Sequence, residues 1–163
     1  MTDRSEWQSP AAPMRTRSPH TAWIIRHALR NPCGSFSATK LHDDLRSQGH
    51  NVAKDTVHAL LDHLIDAFVK HLRGRYGEAE VRSWSFEVWN EPNLDGFWER
   101  ADQAAYFDLY VRTARVIKAI DPALPVGGPS TAGAAWVPEL LAYARAHDAP
   151  VDFVTTHTYG VDG

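Results

Sequence analysis

The chain has 163 residues, 44% of them apolar and 23% charged, with a net charge of −3. That size suits one domain or two small ones, and so small a net charge argues against nucleic acid or a membrane surface as the main partner. The single cysteine, Cys33, excludes an internal disulfide and reads as an inert loop or core residue rather than a reactive thiol.

Residues 1–20, MTDRSEWQSPAAPMRTRSPH, carry three Pro, three Ser and scattered charge, with nothing for a core, and are expected to be a disordered tail. They lack the apolar run of a secretory signal, and no stretch of the chain approaches the ~18 apolar residues of a membrane span. A soluble, cytoplasmic chain is the expectation. The halves differ in charge: residues 1–64 hold eight Lys/Arg against six Asp/Glu, and residues 65–163 hold nine against fourteen.

Residues 21–64 read as helical. TAWIIRHALRN puts Trp23, Ile24, His27 and Ala28 on one face before NPCGS stops it. In SATKLHDDLRSQG, Ser37 is a candidate N-cap, Leu41 and Leu45 form an i, i+4 apolar pair, and Gly49 is a terminator. KDTVHALLDHLIDAFVKHLRGRYG follows, with Val57, Leu61, Leu64, Phe68 and Leu72 as one stripe. Helix, short turn, helix is the spacing of a helix-turn-helix, with Lys54, Asp55, Thr56 and His58 at the start of the candidate recognition helix. No Arg cluster lines that helix, so a small helical packing unit is the plainer reading, and DNA binding is not expected. Salt-sensitive DNA binding lost on changing Lys54 and Thr56 would reverse that expectation.

From Val81 the pattern changes. WSFEVWN reads as a buried strand, AAYFDLYVRTARVIKAID as an amphipathic helix stopped by Asp121-Pro122, and LPVGGPS as a short strand. AAWVPELLAYARAHD is a second helix with Pro138 near its first turn, and VDFVTTHTYG is a third strand. On the helix, Phe107, Tyr110, Val111, Ala114, Ile117 and Ile120 fall on one side. Alternation of strand and helix predicts an α/β class with parallel strands, and runs such as FEV and DFV suit strands covered on both faces.

In parallel β/α folds reactive groups lie at the C-terminal ends of strands. Here those ends carry Asn90 and Glu91, Ser130 and Thr131, and His157 and Tyr159. A lone Glu there is ordinarily a solvated or salt-bridged side chain; three adjacent polar strand ends favour a site. Glu87 has the inward parity of Glu91 but reads as a buried partner for an Arg. Trp84, Trp89 and Trp136 read as core, while Trp98 could be core or sugar platform. Nine His residues lack HExxH or Cys/His spacing, so neither a metal nor another cofactor is expected.

SFEVWNEPNLDGFW resembles the Asn-Glu-Pro signature of retaining glycoside hydrolases built on (β/α)8 TIM barrels, in the form of family 39, the β-xylosidase and α-L-iduronidase family. The resemblance continues through YVRTARVIKAIDPALPVGGPST and DFVTTHTYG, over residues ~65–163. It implies Glu91 as general acid/base, Asn90 on the sugar 2-hydroxyl, His157 and Tyr159 lining the subsite of the cleaved sugar, and Trp98 near the sugar-binding loop. A carbohydrate, a xyloside or a related glycoside, would be the partner. A departing sugar alkoxide needs a proton, and a carboxyl in a partly dry pocket can give one and later take one back from water.

By the same resemblance the fold is a partial barrel, strands four to six. The nucleophile Glu of the seventh strand lies outside this chain. Residues ~20–64, in SFSATKLHDDLRSQGHNVAKDTVHALLDHL, resemble instead the winged-helix-like segment of a bacterial ATP-binding family with a C-terminal domain of unknown function. No GxxxxGK[ST] loop accompanies it. The expected organisation is therefore a tail at 1–20, a helix-turn-helix-like segment at 21–64 and a partial barrel at 65–163. The expectation is a truncated, weakly active or inactive glycosidase; the alternatives are a non-catalytic fusion of two gene fragments or a binding module. Two open sheet edges predict marginal stability or self-association.

Overall fold

The computed structural model describes residues 38–160, which form a single unit. The expected tail, the helix on TAWIIRHALRN, Cys33 and the Ser37 cap lie outside the described residues.

Helix α1 (Ala38–Ser47) buries the predicted pair Leu41 and Leu45. It ends at Gly49, whose φ of +84° is free of the Cβ clash that other residues meet. Helix α2 (Lys54–Tyr76) begins with Lys54, Asp55 and Thr56 exposed. Its apolar seam differs from the expected one. Val57 and Val69 are buried, and Ile65 and Leu72 pack on the core, but Phe68 is 59% exposed. Steps of four residues dominate this seam, so α2 meets α4 along an i±4 ridge that has rotated past Phe68 by the fourth turn. The helix runs unbroken through residues 64 and 65, and Arg73 reaches across to the Ile120 carbonyl at 3.3 Å.

The short helix α3 (Glu78–Arg82) leads into β1 (Phe86–Glu87). Helix α4 (Gln103–Ile120) follows, capped by the Asp102 carboxylate accepting from the Ala105 N–H at 3.0 Å. Then come β2 (Val126–Ala132), α5 (Val137–Ala146) with Pro138 in its first turn, and β3 (Phe153–His157). The sheet order is β1-β2-β3 with both pairings parallel, as the alternating pattern predicts. The architecture is α/β: helices on a small parallel sheet.

The strands differ from the expected ones in two places. The expected strand WSFEVWN pairs regularly only at Phe86 and Glu87, because the backbone turns left-handed at Trp89 (φ 68°) and Glu91 (φ 47°). Single bonds still follow the ladder from Val88 N–H to the Gly127 carbonyl and from Glu91 N–H to the Ser130 carbonyl. On β3 the burial alternates, and Val154 is 46% exposed, so this strand is not covered on both faces.

The core is Val69, Val81, Val88, Tyr106, Phe107, Tyr110, Ala114, Ile117, Leu124, Val126 and Leu140 among others, with Trp84, Trp89 and Trp136 packed against it. Its tightest point is β2 against β3. A Cβ on Gly127 would stand 2.3 Å from the Phe153 carbonyl oxygen and 2.6 Å from its ring, so only glycine fits. The expected apolar side of α4 is the buried one, with Tyr106 added to it. No described helix is long and apolar enough to cross a membrane.

Candidate functional site

Parallel pairing in the order β1-β2-β3 brings the three polar strand ends side by side. Glu91 lies just past β1. It is 8% exposed, and its Oε1 sits 2.8 Å from Nδ1 of His157, the last residue of β3. On its other side, His157 Nε2 lies 3.2 Å from the Ser130 hydroxyl. That hydroxyl donates to Glu87 Oε1 at 2.9 Å. Glu87, Ser130, His157 and Glu91 thus form one continuous chain of hydrogen bonds across all three strands. The expected arginine partner of Glu87 is replaced by Ser130, and Glu87 is exposed rather than buried.

Ser130 is fully buried and sits in a β-bulge. The register passes from Pro129↔Thr155 to Thr131↔Thr156, leaving Ser130 as the extra residue with φ 54°. A bulge re-aims one side chain without changing the rest of the strand. Asn93 braces the same rim: its amide donates to the Ala132 carbonyl at 3.0 Å and accepts from the Ala132 N–H at 2.9 Å. Beneath the site the Tyr106 hydroxyl donates to the carbonyls of Val88 (3.0 Å) and Pro129 (3.3 Å). Burial, then Tyr110 and Glu87, hold its phenol well above the usual range, so it stays a neutral donor at every physiological pH.

The structure therefore unites Glu91 and His157. Asn90 is exposed between the two left-handed residues Trp89 and Glu91, at the mouth of the site. Tyr159 is 81% exposed, two residues beyond β3. Trp98 is 1% exposed: its ring meets those of Trp89 at 5.3 Å and Tyr106 at 6.1 Å edge-on, and its N–H donates to the Asp102 carbonyl. Of its two open readings, core is the one that fits, because no ring face is left for a sugar. Sequence reasoning placed Ser130 at a strand end without a role and passed over Asn93. The one available signal was a buried-strand pattern ending in small residues, GGPST, which leaves room for a bulge. Among the described residues no group of three or more His, Cys, Asp or Glu side chains could hold a metal ion.

A buried carboxyl bonded to an imidazole, set at the C-terminal ends of parallel strands, has the donor and acceptor groups that proton transfer requires, in the position where β/α scaffolds carry their reactive groups. Residues 35–163 match the family described as glycosyl hydrolases family 39, and the chain belongs to that family. The chain is 50% identical over 98 residues to a β-xylosidase of Geobacillus stearothermophilus, covering 59% of this chain and 19% of that protein. Among solved structures, a monomeric β-xylosidase from Caulobacter crescentus CB15 is 73% identical with a TM-score of 0.63, covering 65% of this chain and 22% of that one. A family 39 enzyme from Xanthomonas axonopodis pv. citri is 71% identical with a TM-score of 0.63, covering 66% and 21%. The chain spans about a fifth of the length of these relatives. The family match starts at residue 35 and so takes in α1 and the start of α2; the likeness of that segment to an ATP-binding family receives no support from these matches.

Proposed function

We propose that this chain carries the acid/base half of a retaining glycosidase centre for O-glycosides of the β-xyloside class, on strands four to six of a (β/α)8 barrel. The observation that carries the reading is the Glu91–His157 contact of 2.8 Å, with Glu91 buried at the end of a parallel strand. Glu91 gives a proton to the departing sugar oxygen and takes one from the incoming water. His157 orients the carboxyl through that contact. Asn90, exposed beside it, takes the sugar 2-hydroxyl, and Tyr159 lines the subsite of the cleaved sugar. Trp98 supports Trp89 from below and does not touch the sugar.

A retaining centre needs a second carboxylate roughly 5–5.5 Å from the first, to attack the anomeric carbon. Among the described residues none is assigned that role, and those on the page supply proton transfer and sugar contacts. Two measurements test this. Xylobiose titrated into the labelled chain is expected to move the resonances of Asn90, His157 and Tyr159; no movement there at millimolar sugar overturns the substrate class. Where aryl-xyloside cleavage is measurable, Glu91→Gln is expected to lower it by about 10²–10⁴-fold, more for poor leaving groups than for activated ones. Equal rates for the variant and the parent would remove Glu91 from the chemistry.

A further inference from the structure

We propose that Glu87, Ser130 and His157 form a proton relay that ends on Glu91, with Glu87 as the outer store of the proton that Glu91 donates. Three hydrogen bonds link the four side chains, at 2.9, 3.2 and 2.8 Å, and each needs one proton. Two ionised carboxylates, a neutral imidazole and a serine hydroxyl bring only two. The intact chain therefore holds one proton more than those forms would carry.

That proton has two registers. In the first, Ser130 donates to the Glu87 carboxylate, His157 Nε2–H donates to Ser130, and the remaining proton lies between Glu91 and His157 Nδ1. In the second, Glu87 is protonated and donates to Ser130, Ser130 donates to Nε2, and Nδ1–H donates to the Glu91 carboxylate. Moving each proton along its own bond turns one register into the other. Atoms and charge balance: Glu87 loses a proton, Glu91 gains one, and Ser130 and His157 end as neutral as they began. A neutral imidazole suits this, since its two nitrogens serve as donor and acceptor at once.

Burial separates the two ends. Glu87 is exposed and exchanges protons with water, whereas Glu91 is 8% exposed. The bulge at Ser130 is what joins them, because a regular strand would pass that side chain to the other face. Among the described residues the Tyr106 phenol also faces Glu87, but it is locked as a donor to two backbone carbonyls and stays outside the relay. The relay rests on the glycosidase reading for its use, but its existence can be tested without sugar.

The test is long-range proton–nitrogen correlation on the full chain, labelled at histidine, at neutral pH. His157 is expected to carry its proton on Nε2, in the register where Ser130 faces the Glu87 carboxylate. Ser130→Ala removes the Nε2 acceptor and is expected to switch His157 to the Nδ1–H form facing Glu91. Glu87→Gln keeps an oxygen for the serine but cannot store a proton. It is expected to move the His157 ring-nitrogen resonances in the parent chain and leave them still in Ser130→Ala. A parent spectrum with Nδ1–H that Ser130→Ala leaves unchanged overturns the relay, as does a silent Glu87→Gln. Should Ser130→Ala fail to fold, the exposed Glu87→Gln variant decides alone. Loss of xylobiose binding with the histidine signature intact would overturn the function reading and leave the relay standing.

Discussion

Leu45 on α1 and Ser130 on β2 are both completely buried, and they are buried for opposite reasons. Leu45 follows the helical period, sits one turn beyond Leu41 and disappears into apolar contact. Ser130 breaks the period of its strand, and the break turns a hydroxyl inward to meet Glu87 and His157. The helical layer is thus specified by regular spacing of residue types, and the site by a departure from it. Mutations on the two sides should fail differently: losses of packing on one, losses of proton geometry with little change in stability on the other.

The largest effect is expected at Leu45. Leu45→Ala should cost about 3 kcal/mol through lost transfer and the cavity left behind, and the whole unit should melt earlier in one transition. A variant that melts α1 alone, leaving the sheet transition in place, would show the helical segment to be a separate module after all. Gly127→Ala comes next. Its Cβ would stand 2.3 Å from a strand carbonyl, and the shift of β2 from β3 should cost about 2 kcal/mol, measured by denaturant unfolding. An unchanged midpoint would mean that the strands can part there at no cost, and that the site rim is softer than its bonds suggest.

What was legible in the sequence divides along the same line. The order of elements, the parallel sheet, the apolar side of α4 and the stop at Asp121-Pro122 all follow from period and turn chemistry. Glu91 and His157 were legible because a strand-end position is itself a regular feature. Their contact was not, since it depends on left-handed turns at Trp89 and Glu91 that shorten β1 to two residues. Glu87 was misread for a related reason: without the bulge its inward side chain has no hydroxyl within reach, and an arginine is the natural guess. Trp98 lies in a polar loop, so its neighbours in sequence hide a ring that tertiary packing buries. Phe68 errs the other way, because a stripe of threes and fours does not say which of its members the partner helix skips.

Acid should act on the helical layer in two steps. His58 on α2 is held below the usual imidazole range by burial, then by Arg112 and Lys54. Its folded value lies below the unfolded one, so its contribution is present above about pH 6.5 and is lost as pH falls through the folded value. Asp121, at the end of α4, is held below the carboxylate range by the Ala123 N–H and then by Arg82, whose Nε donates at 2.7 Å. The same sign applies there, with the loss starting only below about pH 4. His58→Gln should flatten the upper part of the stability-versus-pH curve, and Arg82→Ala the lower part. A single step untouched by either variant would contradict both assignments.

The smallest effect on stability, and the most useful for handling the chain, is expected at the open edge. Val154 points outward from β3 and is 46% exposed, and no strand pairs with the far side of β3 among the described residues. Unpaired N–H and C=O groups beside an exposed branched side chain make a template for pairing with another chain, and a lysine there is a common defence. Val154→Lys should leave the unfolding free energy within about 0.5 kcal/mol of the parent while raising the concentration at which light scattering appears. If scattering begins at the same concentration, the edge is not the route of association. Exposed Phe68, on helix α2, then becomes the position to change, and Phe68→Glu would move the onset where Val154→Lys did not.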